Sequence, residues 1–137
     1  MRRLVDEAGL AASIDVDSAG TGNWHIGEAP DARAKQAARR RGYDLASLRA
    51  RQIADEDFRR FDLIVAMDDA NVSALQEIAP APARDKIRLL MEFAPQMGAR
   101  QVADPYFGGD TGFETVLDQC EAACAGLLAE LRKQRVD

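Results

Sequence analysis

Hydrophobic positions along this chain follow two rhythms, and the rhythms take turns. Leu4, Val5 and Ala8 share one face of a short helical stretch, Arg2 to Ala8, that Gly9 stops. Ile14-Asp15-Val16-Asp17-Ser18 then alternates apolar and polar, the period of a half-buried strand. Pro30-Asp31 opens a helix in which Ala34, Ala37 and Ala38 form a small-residue packing face, with Gly42 as its stop. A short helix around Asp55 to Phe61 leads into Leu63-Ile64-Val65-Ala66-Met67, a continuous apolar run suited to a strand buried on both faces of a parallel sheet. Asp69 is placed to cap the next helix, with Val72, Leu75 and Ile78 facing inward and Pro80 ending it. Ile87 to Met91 reads as another strand. The last helix carries the strongest pattern: Thr111-Gly112-Phe113-Glu114 fits a capping box, and Phe113, Val116, Leu117, Cys120, Cys124, Leu127, Leu128 and Leu131 trace one helical face.

Helices alternating with strands argue for an open α/β sheet with helices on both of its faces. No repeat, linker or low-complexity tract divides the chain, so residues 1–137 read as one domain. The opening helix has the place of a crossover in a βαβ unit, and a crossover follows a strand. The expectation is therefore a chain that starts inside its first crossover.

Composition narrows the function classes. With 18 basic and 23 acidic residues, the net charge of -5 disfavours a broad nucleic-acid surface. Arg39-Arg40-Arg41, with Arg33 and Lys35 upstream, reads as a solvated helix face whose cations complement the helix dipole. No apolar run reaches the ~20 residues of a membrane span, and the start has no apolar signal core; a cytoplasmic protein that binds no membrane is expected. Cys120 and Cys124 lack redox spacing and fall inside the apolar stripe of the last helix, so they read as core residues. With His25 as the single histidine, no structural metal is expected.

In open parallel sheets, sites form at the carboxyl ends of strands. Three segments would meet there: Ser18 to Gly27, Met67 to Asn71, and Asp104 to Gly109. Trp24 and Tyr106 sit in glycine-flanked loops, where they either wall an aromatic ligand or cover the edge of the core. Asp104 is a general acid if its loop desolvates it; alone, Asp-Pro is a turn. Absent from the sequence is a Cys or Ser in a glycine-rich strand-to-helix turn followed by an arginine, the arrangement that would hold a phosphoryl group on backbone N–H groups and attack it.

Taken together, Ser18-Ala19-Gly20 with Trp24, Pro30-Asp31-Ala32-Arg33-Ala34, Ala50-Arg51-Gln52, Asp57-Phe58, Phe61-Asp62-Leu63-Ile64 through Met67-Asp68 and Asn71, Asp104-Pro105-Tyr106-Phe107-Gly108 and Phe113-Glu114-Thr115-Val116 resemble the low-molecular-weight protein tyrosine phosphatases in order and spacing. The resemblance covers nearly the whole chain. It implies a three-layer α/β sandwich with an open parallel sheet, and hydrolysis of phosphate monoesters through a cysteinyl-phosphate intermediate. It also implies Asp104 as the acid that protonates the leaving phenolate and later activates water. Trp24 and Tyr106 then line the cleft, and Ser18 supports the nucleophile loop from below. The implied partner is a phosphotyrosine-containing protein or a small aryl phosphate, and no cofactor is used.

The chain departs from the family pattern at its start, where Met1-Arg2-Arg3-Leu4-Val5 matches later turns of the first family helix. The expectation is an N-terminally truncated domain without the first, central strand and without the Cys-x-x-x-x-x-Arg-Ser loop, inactive as it stands. Phe107 also replaces a tyrosine of many members. Loss of a central strand would leave unpaired sheet edges and favour a homo-oligomer or a non-catalytic, partner-binding relative. Two further chemistries follow from the same resemblance. Thiol-dependent arsenate reduction needs cysteines after the middle strand, and Met67 to Ile78 has none. Phosphoarginine hydrolysis stays open, although Trp24 and Tyr106 lean toward phosphotyrosine.

Overall fold

The computed structural model describes residues 1–22, 26–104 and 110–136, with the side chains at positions 110, 111, 135 and 136 left aside. The chain divides into two compact units, one formed by Met1–Asp17 with Leu90–Asp137 and the other by Ser18–Leu89.

The unit Ser18–Leu89 holds helices α2 (Ala32–Arg40), α3 (Asp55–Arg60) and α4 (Asp69–Ile78) and strands β1 (Ile64–Ala66) and β2 (Ile87–Leu89). β1 and β2 are parallel, with Ile64 opposite Ile87, Val65 opposite Arg88 and Ala66 opposite Leu89. A parallel pair cannot close through a hairpin; here α4 and a 3₁₀ turn, Ala81–Lys86, make the crossover. Asp31 caps α2 by accepting from the N–H groups of Arg33 (2.8 Å) and Ala34 (3.4 Å). Those backbone donors, the Arg33 amide foremost, hold the Asp31 carboxyl below its ordinary value. Ala37 and Ala38 are buried as their spacing predicts, and Gly42 leaves the helix at φ 86°, a left-handed exit that suits glycine. The core of this unit gathers Phe58, Ile64, Ala66, Leu75, Ala79, Ala83 and Leu89. Lys86 closes it from the rim, its Nζ donating to the Phe58 carbonyl at 2.7 Å.

The other unit is built on α5 (Asp110–Val136), against which α1 (Arg2–Glu7) and a 3₁₀ turn at Leu90–Phe93 pack. Gly126 makes that last contact: a Cβ built on it would collide with the Phe93 carbonyl, whose carbon lies 2.9 Å from the new atom. Val5, Leu90, Met91, Ala94, Phe113, Ala123, Leu127 and Leu128 are buried here.

Four sequence expectations are corrected. Ile14–Ser18 forms no ladder among the described residues, although its alternation is real: Ile14 and Val16 are half-buried, and Asp15, Asp17 and Ser18 exposed. A strand needs a neighbour as well as a pattern, and the Val16 carbonyl instead accepts from the Arg2 guanidinium at 2.9 and 3.0 Å. The cap of α4 is Asp68, one residue before the one expected, because its side chain reaches the Asn71 N–H at 2.8 Å. Ile78 is 49% exposed while Ala79 is buried. At 3.6 residues per turn, position 79 returns to the line of Val72 and Leu75, whereas 78 sits roughly 120° from Val72. Finally, α5 already includes Asp110, so Thr111 lies inside the helix rather than at its cap.

Candidate functional site

In the Ser18–Leu89 unit, the residues that follow Ser18 are anchored by one strip of main chain. The Gly20 N–H donates to the Arg51 carbonyl at 2.8 Å, and the Ile53 N–H donates back to the Gly20 carbonyl at 2.8 Å, so that Gly20 and Gln52 form a parallel bridge. The Gln52 side-chain amide adds a long bond to the Thr21 carbonyl at 3.4 Å. Beyond position 25 the chain returns to the same strip: the Gly27 N–H donates to the Ala50 carbonyl at 2.7 Å, and the Ala50 N–H to the Glu28 carbonyl at 2.9 Å. Gly27 has φ 83°, a turn conformation that costs glycine nothing. Ser18 itself is exposed. Trp24 lies outside the described residues, as does Tyr106.

The strip is held by a two-pronged ion pair. Arg51 donates to both carboxylate oxygens of Asp57, at 2.9 and 3.0 Å, and the Ala54 N–H donates to the same carboxylate at 2.8 Å. Asp57 is buried at 7% exposure. An acid removed from water is stable only when charge and donors replace the water, and the Arg51 guanidinium, ahead of the Ala54 amide, keeps the Asp57 carboxyl below its ordinary value of 3.8.

The Met67–Asn71 segment, the second expected contributor, is occupied with its own helix. The Asp68 side chain receives the Asn71 N–H at 2.8 Å, and Oδ1 of Asn71 receives the Met67 N–H at 3.3 Å, so both side chains serve the start of α4.

In the other unit, Asp104 is exposed at the end of the segment that precedes α5. Its neighbour Ala103 is fixed by an N–H bond of 2.8 Å to Oε1 of Gln119, which is buried at 8% exposure on α5. Gln119 and the Arg51–Asp57 pair are the supports to which sequence reading assigned no role. A lone glutamine between apolar helix positions 116 and 123 is the signal that marks the first; opposite charges in the Arg51 and Asp57 motifs mark the second. Cys120 and Cys124 are partly buried free thiols on α5. Burial pushes the Cys120 thiol up to about 11, with the neighbouring Cys124 adding to the rise, so at neutral pH it is protonated and a poor nucleophile. Among the described residues, no group of three His, Cys, Asp or Glu side chains converges as metal ligands would, and no helix is long and apolar enough to cross a membrane.

A parallel β-α-β crossover with helices and an acid-bearing segment before the last long helix define the class: an α/β protein with an open parallel sheet. Comparison with known proteins takes the assignment further. The family model described as low molecular weight phosphotyrosine protein phosphatase matches residues 1–137. A low molecular weight protein-tyrosine-phosphatase of Streptomyces coelicolor is 44% identical over 137 residues, covering 97% of this chain and 82% of the relative. A crystal structure of a protein tyrosine phosphatase from Entamoeba histolytica, with Hepes in its active site, superposes with a TM-score of 0.92 at 33% identity, covering 98% of this chain and 85% of that one. The structure of a drosophila arginine phosphatase gives a TM-score of 0.85 at 32% identity, covering 95% of this chain and 84% of that one. The chain belongs to the low molecular weight phosphotyrosine protein phosphatase family. Its relatives are hydrolases that act as protein-tyrosine phosphatases, so phosphotyrosine-containing substrates are the family's class of partner.

Proposed function

We propose that this chain is one phosphatase domain that carries the proton-transfer and substrate-wall half of a tyrosine-phosphatase site. The observation that carries the reading is the family match over residues 1–137. Asp104 is the general acid that protonates the leaving phenolate and the base that then activates water, while Trp24 and Tyr106 flank the substrate ring and Ser18 supports the nucleophile loop. Neither cysteine is the nucleophile. Attack on phosphorus needs a thiolate held by backbone N–H groups and an adjacent arginine, whereas Cys120 is a protonated thiol on a helix face. These 137 residues therefore bind and orient without completing hydrolysis.

The test is turnover of para-nitrophenyl phosphate. The chain and its Asp104→Ala variant are expected to be equally inert; turnover that disappears in Asp104→Ala overturns the reading, because it requires a nucleophile among the residues present. When the chain is joined to a segment carrying Cys-x-x-x-x-x-Arg-Ser, turnover is expected to appear and Asp104→Ala to lower it by roughly 10²–10⁴. A second substrate is favoured by a specific likeness, that to the drosophila arginine phosphatase. Phosphoarginine lacks the aromatic ring that Trp24 and Tyr106 would flank. In the joined form a preference for phosphoarginine over phosphotyrosine peptide would move the assignment to that class.

A further inference from the structure

Among the described residues on either side of positions 23–25, Gly20, Thr21, Gly27 and Glu28 bond to the strip 50–53. A single bridged pair is too short to hold itself in water, so the strip must be rigid for another reason. Arg51 supplies one. Its carbonyl accepts the Gly20 N–H at 2.8 Å while its guanidinium grips both oxygens of Asp57. A fork on a carboxylate fixes direction as well as distance, so the side chain of Arg51 restrains the peptide plane that Gly20 uses. Asp57 also takes the Ala54 N–H at 2.8 Å. Residues 51–54 are thereby closed into a ring, and the partners of Gly20 and Gly27 lie within that ring or next to it.

We propose that the Arg51–Asp57 pair is a positioning clamp for residues 20–21 and 27–28, which flank the segment bearing Trp24, the substrate wall of the proposed function on which this inference rests. The clamp's particular task is loop geometry. The Arg51 side chain is 36% exposed but its partner is buried, so removing Arg51 leaves a buried carboxylate with fewer donors and lowers stability generally, and the clamp shows as an additional, local loss. What such a pair does well is select one backbone geometry.

Amide hydrogen exchange of the whole chain, followed by NMR without ligand, reads this directly. In Arg51→Gln, which leaves the Asp57 bond to Ala54 intact, the acceleration of exchange at the Gly20 and Gly27 amides is expected to exceed any acceleration at β1 and β2 by at least about tenfold. Arg51→Lys, a single charge without the fork, should fall between the two. Unchanged Gly20 and Gly27 protection overturns the proposal. So does a parallel loss at β1 and β2, or loss of the fold, since either would make the pair a support of the core. Trp24→Phe should leave the Gly20 and Gly27 rates alone, which separates the clamp from the wall. If phenylphosphonate binding, measured by NMR shift titration, is insensitive to Trp24→Ala, the wall fails and the clamp stands.

Discussion

Replacing Gly126 with alanine sets two effects of opposite sign against each other at one atom. Gly126 lies deep inside α5, where alanine is the better helix former by ~0.8–1 kcal/mol. Propensity alone therefore forecasts a gain. Against it stands the new methyl, which would collide with the Phe93 carbonyl and lie 2.9 Å from its carbon and 3.4 Å from its Cβ. The obstacle is backbone, so no rotamer change relieves it; α5 and the Leu90–Phe93 turn must move apart, and Leu90 and Met91, both buried, move with them. Overfilling a packed contact costs ~1–3 kcal/mol, and a backbone collision belongs at the upper end. The balance is a net loss of about 1–2 kcal/mol. Urea unfolding of Gly126→Ala and of Ala129→Gly, an exposed α5 position that reports propensity alone, separates the terms. Both variants should be destabilised. If Gly126→Ala is instead more stable than the parent by the propensity increment, the close approach of α5 to Phe93 is wrong.

Three further outcomes are expected. Phe58→Ala should cost ~3–5 kcal/mol in urea unfolding, because Phe58 is 1% exposed and anchors the core of the Ser18–Leu89 unit. Asp57 has a folded value depressed below 3.8, so the stability it contributes is full above its unfolded value of about 3.9 and lost as pH falls through the folded one. The stability gap between the parent and Asp57→Asn should accordingly be constant from neutral pH down to about 4 and close below it. Cys120, with its thiol pushed up to about 11, should react with iodoacetamide at neutral pH far more slowly than an unfolded-chain cysteine; an equal rate in the folded protein would contradict its burial.

Much of this architecture is legible in the sequence because local physics decides it. Asp31 caps α2, Gly42 ends it, and Ala37 and Ala38 are buried, since a cap, a left-handed exit and a helical period each need only neighbouring residues. The failures lie where a partner distant in sequence decides. Ile14–Ser18 has the alternation of a strand, yet pairing is a property of two segments, and the Val16 carbonyl is met by Arg2 instead. The inward line of α4 passes through Ala79 rather than Ile78 because geometry outranks hydrophobicity when the two differ by one position. At the candidate site, Asp104 enters through its motif as an expectation, whereas Gln119 shows in the sequence only as a lone glutamine on an apolar helix face. Its importance comes from a bond to Ala103 sixteen residues earlier, and no local pattern announces such a bond. The same holds for Arg51 and Asp57, which stand in separate motifs and become one device only when the strip 51–57 folds back on itself.

Acid quenching of the chain after incubation with a radiolabelled aryl phosphate, followed by peptide mapping, bears most directly on the division of labour proposed for Asp104 and the cysteines. A covalent route leaves phosphate on its nucleophile to the extent that the intermediate forms faster than water removes it, so the quench is made early in the reaction as well as at steady state. The expected result is no label retained on Cys120, Cys124 or any other residue of these 137. Label mapped to either cysteine would mean that a thiol on α5 attacks phosphorus, and the assignment of this chain to proton transfer and substrate walls alone would fall.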